Sequence, residues 1–193
     1  MEILKLIKKR RTIRKYKKKQ VPKKILDKII KAGRWASSIH GLQPWRFIVM
    51  RKKEVIEAIS NILLKKSEKI GAGVNIILHF NSDVIRKTPS LIIIYSTCDF
   101  VKKVENLHKY YASNARIAEI SAISAAIQNM ILVAESLGIG SCWLDTPLFC
   151  EKEINKLLGV KNEKLVAILT LGYPAEKGKR SKRKPISETV KYL

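Results

Sequence analysis

Residues 115–149 read ARIAEISAISAAIQNMILVAESLGIGSCWLDTPLF, and the first two thirds of that stretch decide the architecture. From Ala115 to Leu137 nearly every side chain is apolar or small, on all sides of a helix rather than along one stripe. Such a helix lies at the centre of a core or packs closely against another helix, in its own chain or in a second subunit. Arg116, Glu119, Gln128, Asn129 and Glu135 interrupt it too often for a bilayer span, so no membrane is expected. Gly138 and Gly140 end it, and residues 141–149 read as a tight connection.

Outward from this helix, SLIIIYS at 90–96 and KLVAILTLGYP at 164–174 are continuous apolar runs of the kind that form strands buried on both faces. WRFIVM at 45–50 is a further strand. Helical spacing marks residues 3–9, the stretch from Pro22 through Ile25, Leu26, Ile29 and Ile30, and the segments 54–66 and 152–160. Residues 71–88 carry mixed signals and stay unassigned. Strands separated by helices, without hairpin signals, predict an α+β fold in a single domain spanning 1–193, whose polar and basic segment 175–193 has no core of its own.

Composition narrows the function classes. The chain has 193 residues, 46% of them hydrophobic, enough to bury a core and too apolar for disorder. Lys and Arg number 39 against 16 Asp and Glu, and the Lys excess is scattered along the chain as on a solvated surface. That charge attracts polyanions, which makes a basic nucleic-acid-binding protein the rival reading from another class. No helix-turn-helix or aromatic RNA-binding motif supports it, and no specific nucleic-acid partner is expected. Cys98, Cys142 and Cys150 form neither a disulfide pattern nor a zinc spacing, which suits a reducing cytoplasm. His40, His79 and His108 lie far apart without metal-ligand spacing, so no metal is expected. Phosphate loops, nucleophile elbows and dinucleotide fingerprints are missing from the sequence, so an enzyme here would rely on a cofactor for its chemistry.

Three stretches are over-specified for packing alone. RRTIR at 10–14 offers planar bidentate donors and a hydroxyl to an anion. SSIHGLQPWRF at 37–47 is an irregular polar loop opening into a strand, and SKRKP at 181–185 is a basic segment near the end. Their order, together with LGIGSCWLDTPL at 137–148 and GYP at 172–174, resembles the FMN-dependent nitroreductase family over essentially the whole chain. The TPL and KRKP segments are similar to the iodotyrosine deiodinase branch of that family.

The resemblance implies a mixed central sheet flanked by helices and a homodimer with the long helix at its interface. Residues 175–193 would form an arm over the partner subunit. It implies FMN, with NADH or NADPH as reductant and a small electron acceptor such as a nitro compound or quinone; the alternative within the fold is a reductive dehalogenase. By position, Arg10, Arg11, Thr12 and Arg183 would hold the phosphate and ribityl chain, and Arg14 would face the pyrimidine end of the ring. Ser38 and Gln43 would reach the flavin from their loop. Leu144, Asp145 and Thr146 would lie at its central ring, where a Thr146 hydroxyl bonded to N5 favours the one-electron state. No residue is expected to act as catalytic acid or base, because flavin N5 takes the hydride. Residues 65–88, where relatives differ, are the expected substrate lid. Gly41, Asp145 and Ser181 depart from common family residues, and Asp145 would repel a reduced flavin unless turned away.

Overall fold

The computed structural model describes residues 2–71, 73–105 and 109–193. His108 lies outside them. In chain order the elements are α1 (Ile3–Lys9), α2 (Lys23–Arg34), β1 (Trp45–Met50), α3 (Lys53–Ser67), α4 (Val74–Arg86), β2 (Ser90–Ser96), α5 (Asp99–Val104), α6 (Lys109–Ser136), β3 (Gly140–Leu144), α7 (Glu151–Leu158) and β4 (Lys164–Gly172). The α+β class expected from the sequence is the one observed.

One sheet, ordered β1-β2-β4-β3, organises the core, and every strand pair in it is antiparallel. The mixed sheet expected above reduces to one isolated parallel bridge, between Thr12 and Ser141. The cause lies in the connection: α3 runs out and α4 runs back, so Leu91 at the start of β2 pairs with Met50 at the end of β1.

The side chains of β2 and β4 divide between two helical layers with the period of two that a strand imposes. Ile92, Ile94, Ala167, Leu169 and Leu171 face Leu26 and Ile29 of α2 and Ile123, Ala126, Ile127 and Met130 of α6. Leu91, Ile93, Tyr95 and Ile168 face Ile56, Ile59 and Leu63 of α3, Leu78 and Ile85 of α4, and Ile154 of α7. Residues Tyr111–Ser136 of α6 are long and apolar enough to cross a membrane, yet here they carry much of this core. α2 approaches α6 so closely that a Cβ on Gly33 would come within 2.5 Å of Met130 Cε and make that side chain move.

Three elements differ from the expectation. α4 occupies most of the unassigned stretch; its inward face carries Asn81 and Ser82 beside Leu78 and Ile85, and these buried polar residues break the apolar period. Residues 140–144 are an edge strand, followed by a 3-10 turn at Thr146–Cys150, where a plain connection was expected. α5 is six residues long and held from a distance. The Glu119 carboxylate, 1% exposed on α6, accepts the Phe100 N–H at 2.8 Å and the Ser96 hydroxyl at 2.6 Å. Glu119→Ala leaves both donors without an acceptor and should lower unfolding free energy by roughly 1–3 kcal/mol in urea titrations, with Glu119→Gln milder.

Candidate active site

The basic segment after α1 is extended and fixed from two sides. Toward the sheet, Ile13 N–H donates to Ser141 O at 2.9 Å, and Thr12 bridges Ser141. Ile13 is buried against Gly140, where a Cβ would come within 2.8 Å of Ile13 Cβ. Buried Tyr16 anchors the far end: its hydroxyl donates to Ile13 O and shares a 2.6 Å hydrogen bond with Thr170, and burial pushes its ionisation far above the ordinary value.

Toward the other side lies the beginning of the C-terminal segment. Lys17 N–H donates to Tyr173 O and Ala175 N–H to Lys15 O, each at 2.9 Å. The Glu176 carboxylate accepts the Arg14 and Lys15 N–H groups at 2.6 and 3.1 Å. Gly178 then passes over Arg11 and Thr12, where a Cβ would collide with Arg11 Cβ and stand 2.9 Å from Thr12 O. This clasp delivers Arg183 to the same place as Arg10.

The result is a cavity of about 760 Å³ lined by ten Lys and Arg residues against two acids, Asp83 and Glu176. Glu176 is engaged with backbone N–H groups, and Asp83 lies 3.8 Å from Lys87, so the cavity is strongly positive. Arg10, Arg11, Thr12, Arg14 and Arg183 are all in its lining. Arg11 also serves the helix before it, because its Nη1 donates to the carbonyls of Lys8, Lys9 and Arg10 at 2.7, 3.0 and 2.8 Å and closes the C-terminus of α1. Ser181 accepts a 2.5 Å bond from Arg183 Nη1 and so orients that guanidinium. Forked cationic donors with a hydroxyl among them suit a phosphate monoester.

The remaining expected residues lie elsewhere in the chain. β3 leads from Ser141, beside Thr12, to Leu144, roughly 10 Å away at ~3.3 Å per residue, so Asp145 and Thr146 sit one strand length from the cationic end. Leu144 is buried in the core and has only backbone to offer a ligand. Asp145 accepts the Trp143 indole N–H at 2.5 Å and lines a second cavity, of about 600 Å³, with Cys98, Arg116 and Lys164. The Thr146 hydroxyl accepts from Asn81 Nδ2 at 2.6 Å. Ser38 and Gln43 also stand outside the cationic lining. Their loop is tightly wound, with His40, Gly41 and Gln43 at φ of 48°, 68° and 49°, and the Gln43 N–H bonded to Ser38 Oγ at 3.1 Å. Left-handed backbone at two non-glycine residues is costly and concentrates at working sites.

Sequence reasoning missed Phe80 and Lys87 in the cavity lining. Phe80 comes from the stretch left unassigned, and its ring centroid lies 6.0 Å from the Arg14 guanidinium carbon. Among the described residues no cluster of His, Cys, Asp and Glu has a metal-binding arrangement. The cysteines are free thiols. Burial pushes Cys150 up to about 11 and raises Cys142 despite the opposing Arg14 guanidinium, whereas Cys98 is half-buried. Iodoacetamide near pH 8 should therefore label Cys98 first in the folded protein; peptide mapping that finds Cys142 or Cys150 labelled as fast would contradict this.

A model described as the nitroreductase family matches residues 7–173, and the chain belongs to that family. A Methanothermobacter thermautotrophicus protein provisionally named NADH dehydrogenase/NAD(P)H nitroreductase is 31% identical over 179 residues, covering 91% of this chain and 79% of the relative. Iodotyrosine deiodinase of Nematostella vectensis is 29% identical over 204 residues, 98% of this chain and 74% of the relative. Among solved structures, a BluB-like flavoprotein from Clostridium difficile superposes with a TM-score of 0.82 at 26% identity, covering 100% of this chain and 99% of the other.

Proposed function

We propose that this chain is an FMN-dependent oxidoreductase that takes hydride from NADH or NADPH and passes electrons to a small aromatic acceptor, a nitro compound or a quinone. The observation that carries this reading is the cationic cavity assembled from Arg10, Thr12, Arg14 and Arg183, which fits one terminal phosphate. Family membership, the flavoprotein neighbour and the nitroreductase-named relative agree with it.

Bound FMN supplies the hydride-accepting and electron-donating chemistry that no side chain here has. The protein's part is to bind and to set charge. Arg10, Arg11, Thr12 and Arg183 hold the phosphate and ribityl chain, and Arg14 offsets negative charge at the pyrimidine end of the ring. The Asp145 carboxylate is tied to the Trp143 indole, which counters the repulsion its position suggests. Leu144 contributes backbone, and the Thr146 hydroxyl serves N5. Protons come from solvent, so no side chain needs to be acid or base.

Ser38 and Gln43 lie outside the cavity of their own chain, and in this reading they serve the cavity of a second copy. A homodimer is supported by apolar side chains left in water on α6 (Ile117, Ile120), on α1 (Ile3, Leu4, Ile7) and in the tail (Ile186, Tyr192, Leu193). Residues 175–193 act as the arm that crosses to that partner. Free thiols agree with a cytoplasmic setting. A second reading, reductive dehalogenation at the same site, draws on the deiodinase relative and on Thr146.

The purified protein should be yellow, release FMN on denaturation and scatter light as a dimer. Arg10→Ala and Arg183→Ala should each weaken FMN binding tenfold or more, at about 1.5–3 kcal/mol per charge-assisted bond, with Lys18→Ala unchanged. A colourless protein without affinity for FMN would refute the assignment. Anaerobic bleaching by NADH and NADPH, followed by nitroaromatics, quinones and halophenols, separates the two readings.

A further inference from the structure

We propose that Asn81, on α4, is a positioning residue that fixes the Thr146 hydroxyl as a donor toward the flavin and thereby tunes its one-electron chemistry. The inference rests on the FMN reading above.

Asn81 is 7% exposed on the face of α4 that also buries Leu78 and Ile85. An amide in such surroundings is costly unless it is bonded. Its Nδ2 donates to Thr146 Oγ1 at 2.6 Å, across 65 residues of sequence. A Thr hydroxyl has one proton and two lone pairs. With one lone pair taken by Asn81, the proton must point away from α4, and the hydroxyl is left as an outward donor. Buried Pro147 follows at once and stiffens the backbone on which that hydroxyl sits. Phe80 and Val84 of the same helix line the cationic cavity, so one rigid element touches the phosphate end and sets the hydroxyl at the other.

A donor held in this way favours flavin states in which N5 keeps its lone pair, the one-electron-reduced anion included, over states with a proton on N5. An amide on α4 that served packing alone would leave flavin potentials unaffected by its removal.

The test is an anaerobic dithionite titration of the FMN-loaded protein, reading by visible absorbance how much one-electron form accumulates at half reduction. Thr146→Ala and Asn81→Leu should each lower the stability constant of that form about fivefold, and the double variant should fall no further than Thr146→Ala alone. Asn81→Asp, whose carboxylate accepts the hydroxyl proton and turns it inward, should behave like Thr146→Ala; it also serves if Asn81→Leu fails to fold by circular dichroism. FMN should still be bound in every variant, because the arginine cavity is untouched. A titration shifted by Thr146→Ala but unchanged by both Asn81 variants overturns the proposal alone. Unchanged titrations in every variant overturn it together with the role of Thr146, and a wild-type protein without FMN overturns the reading beneath both.

Discussion

The site depends on one clasp, in which the two ends of the chain are laid side by side and bonded. Segment 12–17 is held against Ser141 on one edge and against Tyr173 to Glu176 on the other, and the Glu176 carboxylate closes it by accepting two adjacent backbone N–H groups. Without that clasp Arg10 and Arg183 would be separate surface charges with little binding power. Brought into one cavity lining, the same cations face a common space, which is what the proposed phosphate site requires. A close approach at Gly178 and another at Gly140 let the three strands of backbone lie this near one another.

The core makes the clasp possible. β2 and β4 are buried on both faces and present opposite rows of aliphatic side chains to two helical layers, so the sheet has no freedom to slip. β3 lies on its edge beside β4, and this edge position leaves its outer side open to pair with Thr12. The flavin site proposed here therefore grows from a sheet edge that would otherwise be unpaired.

Legibility in the sequence followed the range of the forces involved. β1 and β2 were readable to the residue, β2 because a continuous apolar β-branched run has few other destinations. α6 was readable as the central helix, though it begins at Lys109 rather than Ala115, since its first turns lack the apolar pattern that marks the rest. α4 and α5 were illegible because distant groups stabilise them: Ser60 bonds Ser82 O from α3, and Glu119 holds α5 across 19 residues. At the site, the family resemblance pointed to Arg10, Arg14 and Arg183, which line one cavity. The Asn81 amide on Thr146 is a contact across 65 residues with no local signature, while the closure of α1 by Arg11 and the indole clamp on Asp145 are local contacts that depend on rotamers no motif specifies.

The bond from Arg14 N–H to Glu176 spans 162 residues of sequence. A ribosome releases the chain from its N-terminus, so the arginine segment emerges 162 residues before the Glu176 that closes on it. Until then the nascent protein has its basic ends apart and no finished anion site. The cradle proposed for the cofactor is thus complete only once residues 176–183 have been made, and a chain stopped before them, however well its sheet folds, would lack half of it.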